Sequence, residues 1–72
     1  MKMNMEKVGN YCKSWRIEHG YTQGQIARDC HCSIQNVSIF EKGKNDSLRI
    51  FVWYCNHGLK VSEMYTEVVD RG

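Results

Sequence analysis

Apolar residues recur along this chain at the spacing of helices rather than strands. From Met5 to about His19, Val8, Tyr11, Cys12, Trp15 and His19 share one face, and Lys7, Asn10, Ser14 and Glu18 share the other. His19, on the apolar side, is expected to be a partly buried, hydrogen-bonded histidine. Gly20 stops this helix, and Thr22 with Gln25 three residues on forms a capping box that starts a second. Ile26, Ala27 and Cys30 make its narrow inward stripe. Ser33 caps a third helix, in which Val37 and Phe40 point inward, Gln35, Ser38, Ile39 and Lys42 point outward, and Gly43 closes the end in the left-handed conformation. A fourth helix is expected from Asn45-Asp46-Ser47 to about His57, with Gly58 as its stop. Its apolar residues fall on two stripes, Leu48, Phe51 and Cys55 on one, Ile50 and Trp53 on the other. That is more apolar surface than one core contact hides, so Ile50 and Trp53 are candidates for a dimer interface, the alternative being a helix buried on most sides within the single chain. Ser62 caps a short fifth helix with Met64 and Val68 inward and Glu63 and Glu67 outward.

The pattern predicts an all-α domain of five helices over residues 6–69, preceded by a flexible arm at 1–5 in which Lys2 can reach out, and followed by a tail at 70–72. Seventy-two residues allow one small core and leave no room for a separate substrate domain. With no secretion pattern and no apolar run of membrane-spanning length, a cytoplasmic location is expected. The formal net charge is only +2, but it is unevenly spread: through Lys60 there are nine Lys/Arg against five Asp/Glu, and acidic residues dominate thereafter. The four cysteines, Cys12, Cys30, Cys32 and Cys55, are read as reduced, small apolar residues, with a redox-sensing thiol as the alternative. Cys30-His31-Cys32 is too closely spaced for a zinc pair and lacks two further ligands, so no metal or cofactor is expected. No glycine-rich phosphate loop, catalytic carboxylate pair or nucleophile motif occurs, so the chain does not read as an enzyme.

The stretch Thr22 to Gly43 resembles the helix-turn-helix of the Cro and phage-repressor family of DNA-binding proteins, also called the Xre family. Gln23 opens the first helix of the motif, Ala27 follows four positions later, Ser33 caps the second helix and Val37 lies inside it. The run Phe40-Glu41-Lys42-Gly43-Lys44 closes it. Ala27 is small where two helices cross, and Val37 fills the space between them. The resemblance runs from about Val8 to Tyr65 and implies a compact lambda-repressor-like domain with the motif at helices 2 and 3. It also implies an ion pair between Arg16 and Glu41 that fixes the third helix against the first. One departure stands in the turn, where His31 occupies the place of a glycine; histidine is among the residues that tolerate the left-handed region. Gly24 is a second oddity, either admitting close approach of a DNA backbone or merely tolerated.

The resemblance implies a sequence-specific regulator of transcription, repressor-like, that reads the major groove of double-stranded DNA with its third helix as a homodimer on an inverted repeat. Gln35 suits the N6 and N7 of adenine, Ile34 and Ile39 suit thymine methyls, and Ser38 suits either kind of base edge. Gln23, Ser33, Lys42 and Lys44 are the expected phosphate contacts. The alternative is a module that keeps this fold and binds another protein, as an antirepressor or as the regulator of a partner.

Overall fold

Four of the five helices in this protein end the same way, in a left-handed residue, and the repeated ending sets the path of the chain. The computed structural model describes residues 2–70. Helix α1 spans Met5–Glu18, α2 Gln23–Cys30, α3 Ile34–Glu41, α4 Leu48–Asn56 and α5 Val61–Val68. After α1, α3 and α4 the chain turns through a left-handed glycine, Gly20, Gly43 or Gly58. At each turn the next residue donates its N–H five positions back: Tyr21 to Arg16 O (3.1 Å), Lys44 to Ile39 O (3.1 Å) and Leu59 to Tyr54 O (3.0 Å). Helix α2 ends identically without a glycine. His31 lies at φ 54°, ψ 45°, and Cys32 N–H reaches Ala27 O at 2.9 Å. The left-handed turn expected at His31 is therefore formed by the histidine itself.

The helix starts follow their capping residues. Asn4 caps α1, Thr22 α2, Ser33 α3 and Ser47 α4, each side chain accepting a backbone N–H of the first turn. Helix α5 differs from expectation, because it begins at Val61 and Ser62 lies inside it; Lys60 O accepts the N–H of Met64 at 3.1 Å. The arm and tail also differ. Lys2–Met3 (strand β1) pairs antiparallel with Val69–Asp70 (β2), Lys2 opposite Asp70, and Asn4 N–H donates to Val68 O at 2.9 Å. Backbone pairing thus ties the two ends together, and Met5 already belongs to α1. Met1, Arg71 and Gly72, the rest of the expected arm and tail, lie outside the described residues.

Helix α1 packs against α3 and α5, and α2 against α3 and α4. The core they enclose is built from Cys12, Ile26, Val37, Phe40, Ile50, Tyr54, Met64 and Val68. Two glycines bring α1 against the end of α3. A Cβ on Gly9 would lie 2.7 Å from Phe40 O and as close to Glu41, and one on Gly43 would lie 2.6 Å from the amide nitrogen of Glu6. No side chain fits at either contact, so backbone meets backbone.

Helix α4 turns a different face inward from the one expected. Ile50 and Trp53, the candidates for a dimer interface, are 2% and 6% exposed in the single chain. Trp53 lies edge-on to Tyr21, and its indole N–H donates to Asp29 Oδ2 at 2.8 Å. They are core residues. The outward stripe is instead Leu48, 72% exposed, and Val52, 42% exposed, beside half-buried Phe51 and Cys55.

Helices α1 and α4 also share an ending in sequence, Trp-x-x-x-His-Gly. In both, the imidazole stacks on its tryptophan, Trp15 with His19 at 4.2 Å and Trp53 with His57 at 3.8 Å between ring centroids. In both, Nδ1–H donates to the tryptophan carbonyl at 2.8 Å. His19 makes the expected hydrogen bond but is exposed rather than partly buried. No helix among the described residues is long and apolar enough to cross a membrane.

Candidate functional site

The surface formed by α3 and the start of α2 collects the residues that sequence reasoning selected for binding. Thr22 and Gln25 complete the expected capping box: Gln25 N–H donates to Thr22 Oγ1 at 3.1 Å, and Thr22 N–H to Gln25 Oε1 at 2.8 Å. Ser33 Oγ accepts Asn36 N–H at 3.1 Å, which fixes the first turn of α3. From that turn the helix presents Ile34 (54% exposed), Gln35 and Ile39 (39% exposed), with Ser38 half-buried between them. Lys42 and Lys44 are exposed at the far end. The face is polar and apolar but carries no charge until Lys42.

The opposite side of α3 buries Val37, Phe40 and Glu41. Glu41 is 3% exposed, a carboxylate within the core, and it is held by three donors. Arg16 binds it in a fork, Nε to Oε2 at 2.8 Å and Nη2 to Oε1 at 3.2 Å. Gln23 Nε2 donates to Oε1 at 3.0 Å, and the Tyr54 hydroxyl donates to Oε2. Burial pushes the Glu41 carboxyl up, but the hydrogen bonds from Arg16, Tyr54 and Gln23, with the Arg16 charge, outweigh it and hold the group below the ordinary glutamate value. The hydrogen bond to Glu41 in turn raises Arg16, and burial followed by the Glu41 bond raises Tyr54. Arg16 Nη1 also donates to Tyr21 O at 3.1 Å, tying in the turn before α2. One carboxylate therefore joins α1, α2, α3 and α4, and it sets the angle at which α3 presents its outer face.

Of the sequence candidates, Ile34, Gln35, Ser38, Ile39, Lys42 and Lys44 share the α3 side, and Arg16 and Glu41 meet as a pair. Gln23 is placed differently. Its amide group is engaged by Glu41, so it serves the interior at least as much as the surface. At Gly24 a Cβ would stand 3.8 Å from Ile34 Cδ1 and from Thr22 Oγ1, ordinary contact distances, so nothing in the fold requires glycine there.

Sequence reasoning missed two polar residues on this side. Asn36 is exposed, and with Cys32, Asn45, Ser47 and Arg49 it lines a cleft of about 240 Å³ between α3 and α4. Arg49 Nη1 donates to Cys30 O at 3.2 Å, closing the end of α2. The available signal was a basic residue in an otherwise largely apolar helix, but its partner, the end of α2, lies 19 residues away and outside any local pattern.

All four cysteines are free. Burial raises Cys30 and Cys55 and pushes Cys12 up to about 12, the opposite of what an activated thiolate needs. Among the described residues no three of His, Cys, Asp and Glu gather as a metal site. Compared with known proteins, the chain matches no protein-family model, no curated protein and no solved structure.

Proposed function

We propose that this protein is a sequence-specific, double-stranded DNA-binding regulator of transcription, with α2 and α3 as a helix-turn-helix on a lambda-repressor-like fold. The observation that carries the reading is the outer face of α3, with Ile34, Gln35 and Ile39 exposed and Ser38 half-buried between them, on a helix whose inner face is locked by the Glu41 cluster. An α-helix enters the major groove of B-DNA, and its first turns reach the base edges. Gln35 would bond adenine, Ile34 and Ile39 would pack on thymine methyls, and Ser38 would accept or donate to either base. Lys42 and Lys44 would neutralise phosphates, and the open backbone amides at Gln23 and Gly24 would hold another at the N-terminus of α2. A single domain reads few base pairs, so an inverted repeat bound by two copies supplies the remaining affinity and specificity.

A protein partner for the same face is the second reading, favoured by the two exposed isoleucines and the net charge of only +2. Fluorescence anisotropy of a labelled duplex, titrated with protein at several salt concentrations, separates the two. With two lysines on phosphates, each worth a slope of about −0.9, log affinity falls with log salt at about −2 per domain. Gln35→Ala weakens the preferred sequence much more than random DNA. Binding that ignores both salt and Gln35 contradicts the DNA reading.

A further inference from the structure

The cleft between α3 and α4 is lined by Cys32, Asn36, Asn45, Ser47, Arg49 and Ile50, and four of these six side chains can donate hydrogen bonds into it. Arg49 uses only Nη1, on Cys30 O at 3.2 Å. That bond holds the guanidinium in place and leaves its other N–H groups free among the described residues. Ser47 Oγ accepts Ile50 N–H at 3.4 Å and keeps its own hydrogen to give. Asn45 Oδ1 accepts Ser47 N–H at 2.9 Å, which leaves the NH2 group of that amide. The side chain of Asn36 makes no hydrogen bond among the described residues. No carboxylate answers these donors. Asp46 borders the apolar groove of Met5 and Leu48 instead of this cleft, and Asp29 accepts the Trp53 indole N–H at 2.8 Å.

We propose that this cleft is a binding site for a small organic carboxylate with a short aliphatic tail. An ionised carboxylate only accepts hydrogen bonds and has about four positions at which to do so, which suits four donor side chains with no acid among them. The fork of a guanidinium matches its two oxygens. Cys32 and the edge of Ile50 form the apolar wall for the tail. The volume, about 240 Å³, lies below the roughly 300–1,000 Å³ of a site for a drug-sized molecule, so the occupant is small. It would lie against Asn36, the neighbour of Gln35, and so bear on the outer face of α3. The site is defined by its own donors and stands whether α3 binds DNA or a protein; only its purpose, as an effector site, rests on the proposed function. A backbone phosphate of DNA is the other oxyanion able to meet Arg49, and the test separates the two.

Proton–nitrogen NMR of the labelled full chain, titrated with isovalerate at constant ionic strength, reads the site without DNA. Saturable shifts are expected at the backbone amides of Asn36, Ser47 and Arg49 and at the side-chain NH2 groups of Asn36 and Asn45, with a dissociation constant of about 1 mM. The uncharged alcohol of the same shape, 3-methylbutanol, gives no saturation. Arg49→Gln, at an exposed position, weakens isovalerate about tenfold or more. Asn36→Ala weakens it about threefold and leaves the Cys30 contact of Arg49 alone, so the site is tested even if the first variant loosens the end of α2. Lys13→Gln, an exposed cation on α1 away from the cleft, changes nothing. Absence of saturable shifts, equal binding by the alcohol, or full binding by both Arg49→Gln and Asn36→Ala overturns the proposal. Shifts at these residues that appear with duplex DNA but not with isovalerate overturn it too, since Arg49 would then be a phosphate contact.

Discussion

Glu41→Leu removes the carboxylate while keeping a side chain of similar size in a core position. Three donors lose their acceptor at once: the nearly buried guanidinium of Arg16, the amide of Gln23 and the hydroxyl of Tyr54, which is fully buried. Breaking a buried ion pair by removing one partner costs about 3–5 kcal/mol, because the remaining charge has no counterpart. A domain of 72 residues has about 4–11 kcal/mol of stability in total, so the variant stands near the limit of folding. Thermal denaturation followed by circular dichroism should show a fall of at least about 12 °C. The decisive companion is Arg16→Met/Glu41→Leu/Tyr54→Phe, which removes the stranded charge and the buried hydroxyl and leaves only the amide of half-buried Gln23 without its acceptor. Two further substitutions are expected to restore about 2 kcal/mol or more relative to Glu41→Leu alone, since apolar residues in place of both members of the ion pair leave no charge buried. A loss below about 1 kcal/mol for Glu41→Leu, or a triple variant less stable than the single one, would refute the reasoning. Acid acts on the same group. The Glu41 carboxyl titrates below its ordinary value in the folded chain, so the stability it supplies is fully present above the unfolded value. That stability is lost as the pH falls through the lower folded value.

Gly9→Ala should cost about 2–3 kcal/mol, because its methyl group would meet the carbonyl oxygens of Phe40 and Glu41; urea denaturation checks it, and an unchanged midpoint contradicts the close approach of α1 to α3. Gly24→Ala should stabilise the protein by about 0.5–1 kcal/mol in the same assay, since alanine is the better helix former and the site has room for a methyl. If the variant also keeps its DNA affinity, glycine at this position is merely tolerated. Cys12 should resist alkylation at about pH 8 for as long as the fold persists, whereas half-buried Cys32 and Cys55 react first; mass spectrometry of the labelled peptides reads the order.

Local chemistry made much of this fold legible. Thr22 with Gln25, and Ser33, announce helix starts because capping is settled within four residues, and His31 stands where the turn needs a left-handed residue. The outward set on α3 follows from its period once Val37 and Phe40 are taken as the inner face. Helix α4 was not legible in this way. Apolar residues at 48, 50, 51, 52, 53, 54 and 55 fit two stripes equally, and only the length of the preceding loop and the contacts to α2 choose Ile50 and Trp53 over Leu48. Gly9 reads locally as a weak point in a helix. Its role emerges only when the end of α3 arrives against it. The same holds for Tyr54 and Gln23, whose common partner Glu41 lies 13 and 18 residues away. The pairing of β1 with β2 joins the two ends of the chain, beyond the reach of any local pattern.

The most direct test of the central claim is selection of bound sequences from a random duplex DNA pool at physiological salt, using protein whose fold has been verified. The account predicts enrichment of an inverted repeat with half-sites about 34 Å apart, one helical turn, and adenine or thymine at the positions facing Gln35 and Ile39. A bound pool no different from the starting pool would contradict it.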